Sequence, residues 1–146
     1  EYTPSVTAAP SNPGLKATWH EFKGNKCSEI EKAPVNGTYP VEDVMIPKKV
    51  KGNIGLIIKG YFNAPQDDIY TFALLSDDGS TLTIDSEQIV DNDGPHGPKE
   101  IVGQKALAKG YHPMELRYFD QNGGQLKLKV TGSDGKEIPF THLYAH

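Results

Sequence analysis

Two acidic loops carry the side chains most able to do chemistry. Ser76-Asp77-Asp78-Gly79-Ser80 sets two carboxylates side by side, and Asp91-Asn92-Asp93-Gly94-Pro95-His96 adds two more, with an amide and an imidazole. Carboxylate and amide oxygens are hard donors, of the kind calcium gathers in sets of six to eight at about 2.3–2.6 Å. Adjacent side chains of an ordinary strand leave opposite faces. Asp77 and Asp78 therefore aim at one ion only where the backbone departs from that pattern, a cis peptide bond being one such departure. The plainer reading of Asp77-Asp78-Gly79 is a hairpin turn, where Asp and Gly are favoured in any case. His96, flanked by Gly94-Pro95 and Gly97-Pro98, is suited either to hydrogen-bond a sugar or to pack as a loop residue. The five histidines form no pair at metal-ligand spacing on a regular element, which argues against zinc.

The flanking sequence predicts how these loops meet. Ile69 to Leu75 is a short apolar and aromatic run with the composition of a buried strand. Thr81-Leu82-Thr83-Ile84-Asp85 alternates, which puts Leu82 and Ile84 on one face of a second strand. Asp85-Ser86-Glu87-Gln88 turns the chain, and Ile89-Val90 begins the return. A hairpin built this way returns Asp91–His96 to the end where Asp77 and Asp78 left. Four carboxylates, an amide and an imidazole then share one rim of the sheet, a surface suited to a cation or a hydroxyl-rich ligand.

The rest of the chain reads as more of the same architecture. Leu15, Ala17 and Trp19 alternate on one strand, with Trp19 as a core anchor. Ile54 to Phe62, Lys99 to Ala108 (Ile101 and Leu107 inward), Gly110 to Phe119 and Gln125 to Val130 are further strands. In the third of these, Tyr111, Met114, Leu116 and Tyr118 are the expected anchors, and Ile138 to Phe140 is expected to close the domain. Val44 to Pro47 reads as an edge or strand end because of Pro47. Residues 23 to 40 read mostly as loop, with a helical turn conceivable around Ser28 to Lys32. Short alternating strands with turns every ~8–12 residues mean an all-β fold, an antiparallel sandwich or barrel.

Composition narrows the function classes. At 146 residues the chain is one domain by size. A net charge of -4, with lysines such as Lys105, Lys127 and Lys129 spread among strands, argues against a nucleic-acid partner. Cys27 is alone, so neither a disulfide framework nor a thiolate metal site can form within the chain. No apolar run approaches the ~20 residues of a membrane span. Residues 1–13, rich in Pro, Ser, Thr and Ala, read as a linker or an edge segment, and residues 14–146 as the folded domain. The start at Glu1 rather than Met reads as a piece cut from a longer protein.

The chain resembles the PA14 domain family, named for the protective-antigen fragment of anthrax toxin. The matching pieces are Gly14-Leu15 with Trp19, Gly60-Tyr61-Phe62, Ile69 to Phe72 and, most specific, Ser76 to Ser80 with Leu82, Ile84 and Asp85. Val90-Asp91-Asn92, His96, Lys109 to His112 and Leu126 to Val130 follow in the same order, from Gly14 to Phe140 overall. The resemblance implies a β-sandwich that decorates larger extracellular proteins, most like the copies fused to bacterial glycoside hydrolases such as β-hexosaminidases. It implies that Asp77 and Asp78, joined by a cis peptide, chelate Ca2+, which binds vicinal sugar hydroxyls. It also implies a later polar ligand, Gln121 or Asn122 in the Asp120 to Gly124 turn. Ser86 departs from the glycine usual at that turn, which touches the turn and not the site.

The expected function is a non-catalytic carbohydrate-binding module of a secreted or surface glycan-processing protein, with calcium through Asp77, Asp78, Gln121 and Asn122. Asp91, Asn92, Asp93 and His96 are the expected glycan contacts. The partners are glycan and neighbouring domains of the same chain, and the expected location is extracellular, periplasmic or at the cell surface. The competing readings are a spacer module without ligand and a glycoside hydrolase. The hydrolase would need two carboxyls ~5–5.5 Å apart with one acid's pKa raised, and Gly- and Pro-rich loops offer no means of raising it.

Overall fold

Alternation of apolar and polar residues, interrupted by Gly-, Asp- and Pro-containing turns, yields ten strands in the computed structural model, which describes residues 1–7 and 9–146. They are β1 (Leu15–Glu21), β2 (Val35–Val41), β3 (Asn53–Ala64), β4 (Asp68–Asp77), β5 (Ser80–Ile84), β6 (Glu87–Asn92), β7 (Lys99–Leu107), β8 (Gly110–Gln121), β9 (Gln125–Thr131) and β10 (Tyr144–Ala145). A single 3-10 turn, Cys27–Lys32, is the one helical element among the described residues. The large sheet runs β2-β1-β3-β8-β5-β6, and β10 also pairs with β3; the small sheet runs β7-β4-β9. The strand pairings are antiparallel. The fold is thus an antiparallel β-sandwich.

The core lies between the sheets. Leu56, Ile58 and Phe62 of β3, Tyr70, Phe72 and Leu74 of β4, Leu82 and Ile84 of β5, and Leu116 and Tyr118 of β8 are all buried in it. Phe62 is its hub: Tyr70 and Phe72 meet its ring edge-on at 5.3 Å, and Tyr144 of β10 packs at 6.4 Å. A smaller core of Phe22, Cys27, Ile30, Ile57 and Phe119 sits on the outer face of the large sheet, under the 3-10 turn.

Several local expectations are corrected. Val35–Val41 is a strand, not loop, but with one partner, β1, it is an edge, where Gly37 and Pro40 are tolerated. Val44–Pro47 and Ile138–Phe140 form no strand, and the domain closes instead on β10 against β3. Tyr111 faces outward. With Met114, Leu116 and Tyr118 inward, a period of two puts His112 on the core face and Tyr111 on the other. Trp19 packs on the core but is only partly buried; His20, on the opposite face of β1, is buried beside the end of the 3-10 turn, where its Nδ1 meets the Ala33 carbonyl. The start of the chain touches the sandwich through bridges of Thr3 to Leu107, Val6 to Tyr111 and Pro13 to Ala145.

Candidate functional site

Three connections cross from one sheet to the other at the same end of the sandwich. Asp78 and Gly79 link β4 to β5, residues 93–98 link β6 to β7, and residues 122–124 link β8 to β9. Register forces them together: Ser76 is opposite Lys99, Asp77 opposite Gln125, and Ser80 opposite both Asn92 and Tyr118. Antiparallel pairing therefore gathers at one rim three loops that are far apart in sequence.

Hydrogen bonds lock the loops around Asp78. Its Oδ1 accepts from the His96 N–H at 3.1 Å and its Oδ2 from the Gln121 N–H at 3.3 Å, one donor from each neighbouring loop. The backbone on either side is pinned to β8, with the Asp78 N–H on the Phe119 carbonyl (3.2 Å) and the Phe119 N–H on the Gly79 carbonyl (3.0 Å). The peptide bond between Asp77 and Asp78 is cis. The His96 ring spans its own loop, Nε2 at 2.8 Å from the Asn92 carbonyl and Nδ1 at 2.7 Å from that of Gly97.

Beneath the rim lies a pair that the sequence reading did not single out as functional. The Tyr118 hydroxyl is 2.6 Å from both the Asp77 carbonyl and Asp120 Oδ2. One hydroxyl proton serves one acceptor at a time. With Asp120 charged, Tyr118 donates to it and the Asp77 carbonyl goes without; with Asp120 protonated, Asp120 donates to Tyr118 and Tyr118 to Asp77. Burial holds the Asp120 carboxyl above its ordinary range, and the charges of Asp78 and Asp77 push the same way. A raised folded value means stability that is complete at acid pH and is lost as pH rises through that value. Asp120→Asn, measured in chelator, is therefore expected to raise Tm by a few degrees at about pH 7, with the gain shrinking towards about pH 4. A lower Tm at neutral pH would show that the buried charge stabilises the fold. The signal in the sequence was Tyr118 and Asp120 at i and i+2, which share a strand face.

The expected ligand residues divide into two groups. Asp77, Asp78, Gln121, Asn122 and the His96 backbone come together at the rim. Asn92 does not present itself there. It is 2 % exposed, and its amide donates to the carbonyls of Leu74 (3.3 Å) and Lys99 (2.9 Å) and to Ser76 Oγ (3.2 Å). With Val90 inward, the strand period carries Asn92 inward too. It braces the two sheets, and the expectation of a glycan contact is corrected. Asp93 turns to the other side, its Oδ1 and Oδ2 accepting the Cys27 N–H at 3.0 and 3.3 Å. Burial, with Asp93 beside it, pushes the Cys27 thiol up and keeps it protonated. Asp91 stays exposed at the sheet edge, accepting the Asp93 N–H on Oδ1.

Two glycines let the loops close. A Cβ on Gly79 would lie 2.6 Å from the Phe119 ring and 2.7 Å from the Gly94 carbonyl oxygen. One on Gly124 would lie 1.9 Å from the Asp77 carbonyl oxygen and 2.4 Å from the Tyr118 hydroxyl. Gly124→Ala must displace the Asp77 carbonyl, so it is expected to cost about 1–3 kcal/mol in denaturant unfolding. An unchanged midpoint would mean that the loop yields freely.

The rim's donors suit a hard cation. Asp77 and Asp78 carry charged oxygens, and Gln121 and Asn122 carry amide oxygens on an exposed loop. Among the described residues no three His, Cys, Asp or Glu side chains converge as a metal cluster. A calcium ion here would thus draw its remaining oxygens from amides, carbonyls and a bound ligand's hydroxyls, all within its ordinary repertoire.

The PA14 domain family model matches residues 11–140. No curated protein matches the chain. Among solved structures, the PA14 sugar-binding domain of an RTX adhesin superposes with a TM-score of 0.76 at 18 % identity, covering 92 % of this chain and 98 % of that one. The epithelial adhesin 9 A domain of Candida glabrata, in complex with Galβ1-3GlcNAc, gives 0.70 at 13 % identity and covers 99 % and 94 %. The β-glucosidase of Kluyveromyces marxianus in complex with glucose gives 0.63 at 17 % identity, covering 82 % of this chain but 16 % of that enzyme.

Proposed function

The chain belongs to the PA14 domain family, and from that premise we propose that it is a non-catalytic carbohydrate-binding module whose acidic rim holds calcium and, through it, glycan. One observation carries the reading: Asp78 offers its carboxylate between N–H groups of two other loops, beside the carboxylate of Asp77 and the exposed amides of Gln121 and Asn122. Held by backbone donors, that carboxylate is positioned before any ligand arrives, which lowers the ordering cost of binding. When bound, calcium would supply open coordination positions for a pair of sugar hydroxyls. The protein's own part is to aim Asp78, through the Gln121 and His96 amides, and to hold Asp77 beside it at the end of β4, opposite Gln125. The His96 loop forms the wall a sugar would meet.

The likeness to adhesin domains that bind sugar, and to part of a β-glucosidase, supports a place at the cell surface or outside it, on a glycan-processing parent chain. Tethering would then raise the effective concentration of a weak site. The test is retention on an array of neutral glycans in calcium and in excess chelator. Calcium-dependent retention supports the reading, and no retention under either condition overturns it. A second reading, a spacer without ligand, is favoured by the lack of a third converging carboxylate among the described residues. It expects no change in Tm on adding calcium.

A further inference from the structure

The outer face of the large sheet carries a groove used neither by the core nor by the acidic rim. Its far half is roofed by the 3-10 turn and the small core around Phe119. Its open half is built from alternate residues of three adjacent strands. Lys59 of β3 stands opposite Glu115 of β8, with Thr83 of β5 on the other side of Glu115. Tyr61 stands opposite Pro113, one step further from the rim, and Thr81 opposite Arg117, one step nearer. Two adjoining hollows of about 440 and 300 Å³ meet at Thr83 and Glu115, so together they form one trough. From Pro113 to Arg117 it runs along β8 for roughly 13 Å at ~3.3 Å per residue.

The charges along the trough alternate and are already matched. Lys59 Nζ lies 3.5 Å from Glu115 Oε1, Arg117 Nε donates to Glu115 Oε2 at 2.8 Å, and Arg117 Nη1 donates to Glu31 Oε1 at 3.3 Å. Asp93, at the far end, is taken up by the Cys27 N–H. An ionic ligand of either sign would have to displace a partner and face a like charge. A neutral ligand rich in hydroxyls would not, because each hydroxyl can donate to a carboxylate while accepting from a cation. At the other end Tyr61 meets Tyr111 edge-on at 6.3 Å and stands opposite Pro113 across the ladder, giving an apolar patch among polar neighbours. An apolar surface with a few placed polar groups is the usual make-up of a small-molecule site.

We propose that this trough is a second, metal-independent glycan site that takes a stretch of a neutral oligosaccharide chain rather than a terminal sugar. It shares no side chain with the calcium-dependent rim and does not depend on that reading. The test is calorimetric titration with cellohexaose, xylohexaose and laminarihexaose in excess chelator, where the rim is silent, with a hexagalacturonate as the anionic control. At least one neutral hexasaccharide is expected to bind. Tyr61→Ala and Glu115→Gln are each expected to weaken it tenfold or more, and Asp77→Asn to leave it unchanged. Glu115→Gln keeps the side chain's shape and decides the matter should Tyr61→Ala fail to fold. No neutral hexasaccharide bound in chelator, binding that survives both trough variants, or equal affinity for the anionic control would each overturn the proposal. Calcium-induced change in Tm reads the rim separately.

Discussion

Phe62→Ala is expected to cost about 3–5 kcal/mol, the largest effect of any single substitution in the core. Phe62 belongs to β3 in the large sheet, and its edge-on partners Tyr70 and Phe72 belong to β4 in the small one. Its third partner, Tyr144, sits on β10, which holds the C-terminal segment against β3. Truncation therefore removes apolar burial, leaves a cavity and cuts two aromatic contacts across the seam between the sheets and a third to β10. Because the surrounding rings are held by their own strands, little collapse can refill the hole, which favours the upper part of that range. For a domain of about this size each kcal/mol moves Tm by ~2–4 °C, so a fall of about 6–20 °C is expected. Denaturant unfolding should show a lower midpoint at unchanged slope, since the surface exposed on unfolding stays nearly the same. A fall of less than about 3 °C would mean that the seam is held elsewhere.

The parts of this molecule legible in its sequence are those that local period and turn chemistry control. Leu82 and Ile84 are buried as their alternation requires, and Asp85 and Ser86 take up positive φ in the short turn that returns the chain. That hairpin is what delivers the His96 N–H to Asp78, eighteen residues away. Strand β2 was illegible because Asn36, Gly37 and Pro40 are poor strand residues, and only its one-sided pairing with β1 makes them acceptable. The opposite fates of Asn92 and Asp93 show where local reasoning ends. The inward turn of Asn92 follows from Val90 two residues before it, so the period could have found it. The capture of Asp93 by the Cys27 N–H spans 66 residues and depends on the 3-10 turn packing onto the outer sheet face, which no local pattern encodes. The Asp120–Tyr118–Asp77 chain joins both kinds of information. Two of its members share a strand face, and the third arrives only because three connections cross between sheets at one end.

On the proposed reading calcium is expected to stabilise the wild-type domain, and replacing both Asp77 and Asp78 by Asn is expected to abolish that stabilisation. An ion bound only by the folded state contributes about 2.7 kcal/mol at one hundred times its Kd, or a rise in Tm of roughly 5–11 °C for a domain of about this size. Asn keeps a carbonyl oxygen at each position but removes both charges, and a site with no third carboxylate among the described residues cannot make up that loss. The two positions differ in what else they do. Asp78 accepts two backbone N–H groups on separate oxygens, and an amide can accept on only one, so Asp78→Asn alone should also cost about 1 kcal/mol in chelator. Asp77→Asn breaks no such pair and lowers the negative charge facing buried Asp120. Its Tm in chelator should equal or exceed that of wild type. Asp77→Asn is thus the cleaner probe: a folded domain that has lost its response to calcium and its calcium-dependent retention on glycan. A response that survives in the double variant would place the ion elsewhere, and a wild type that does not respond would leave the rim as a packing device between loops. The carboxylate pair can be removed without removing a partner of the Tyr118 hydroxyl, which lies against the Asp77 carbonyl and not its side chain, so fold and ligand can be read apart in one set of melting curves.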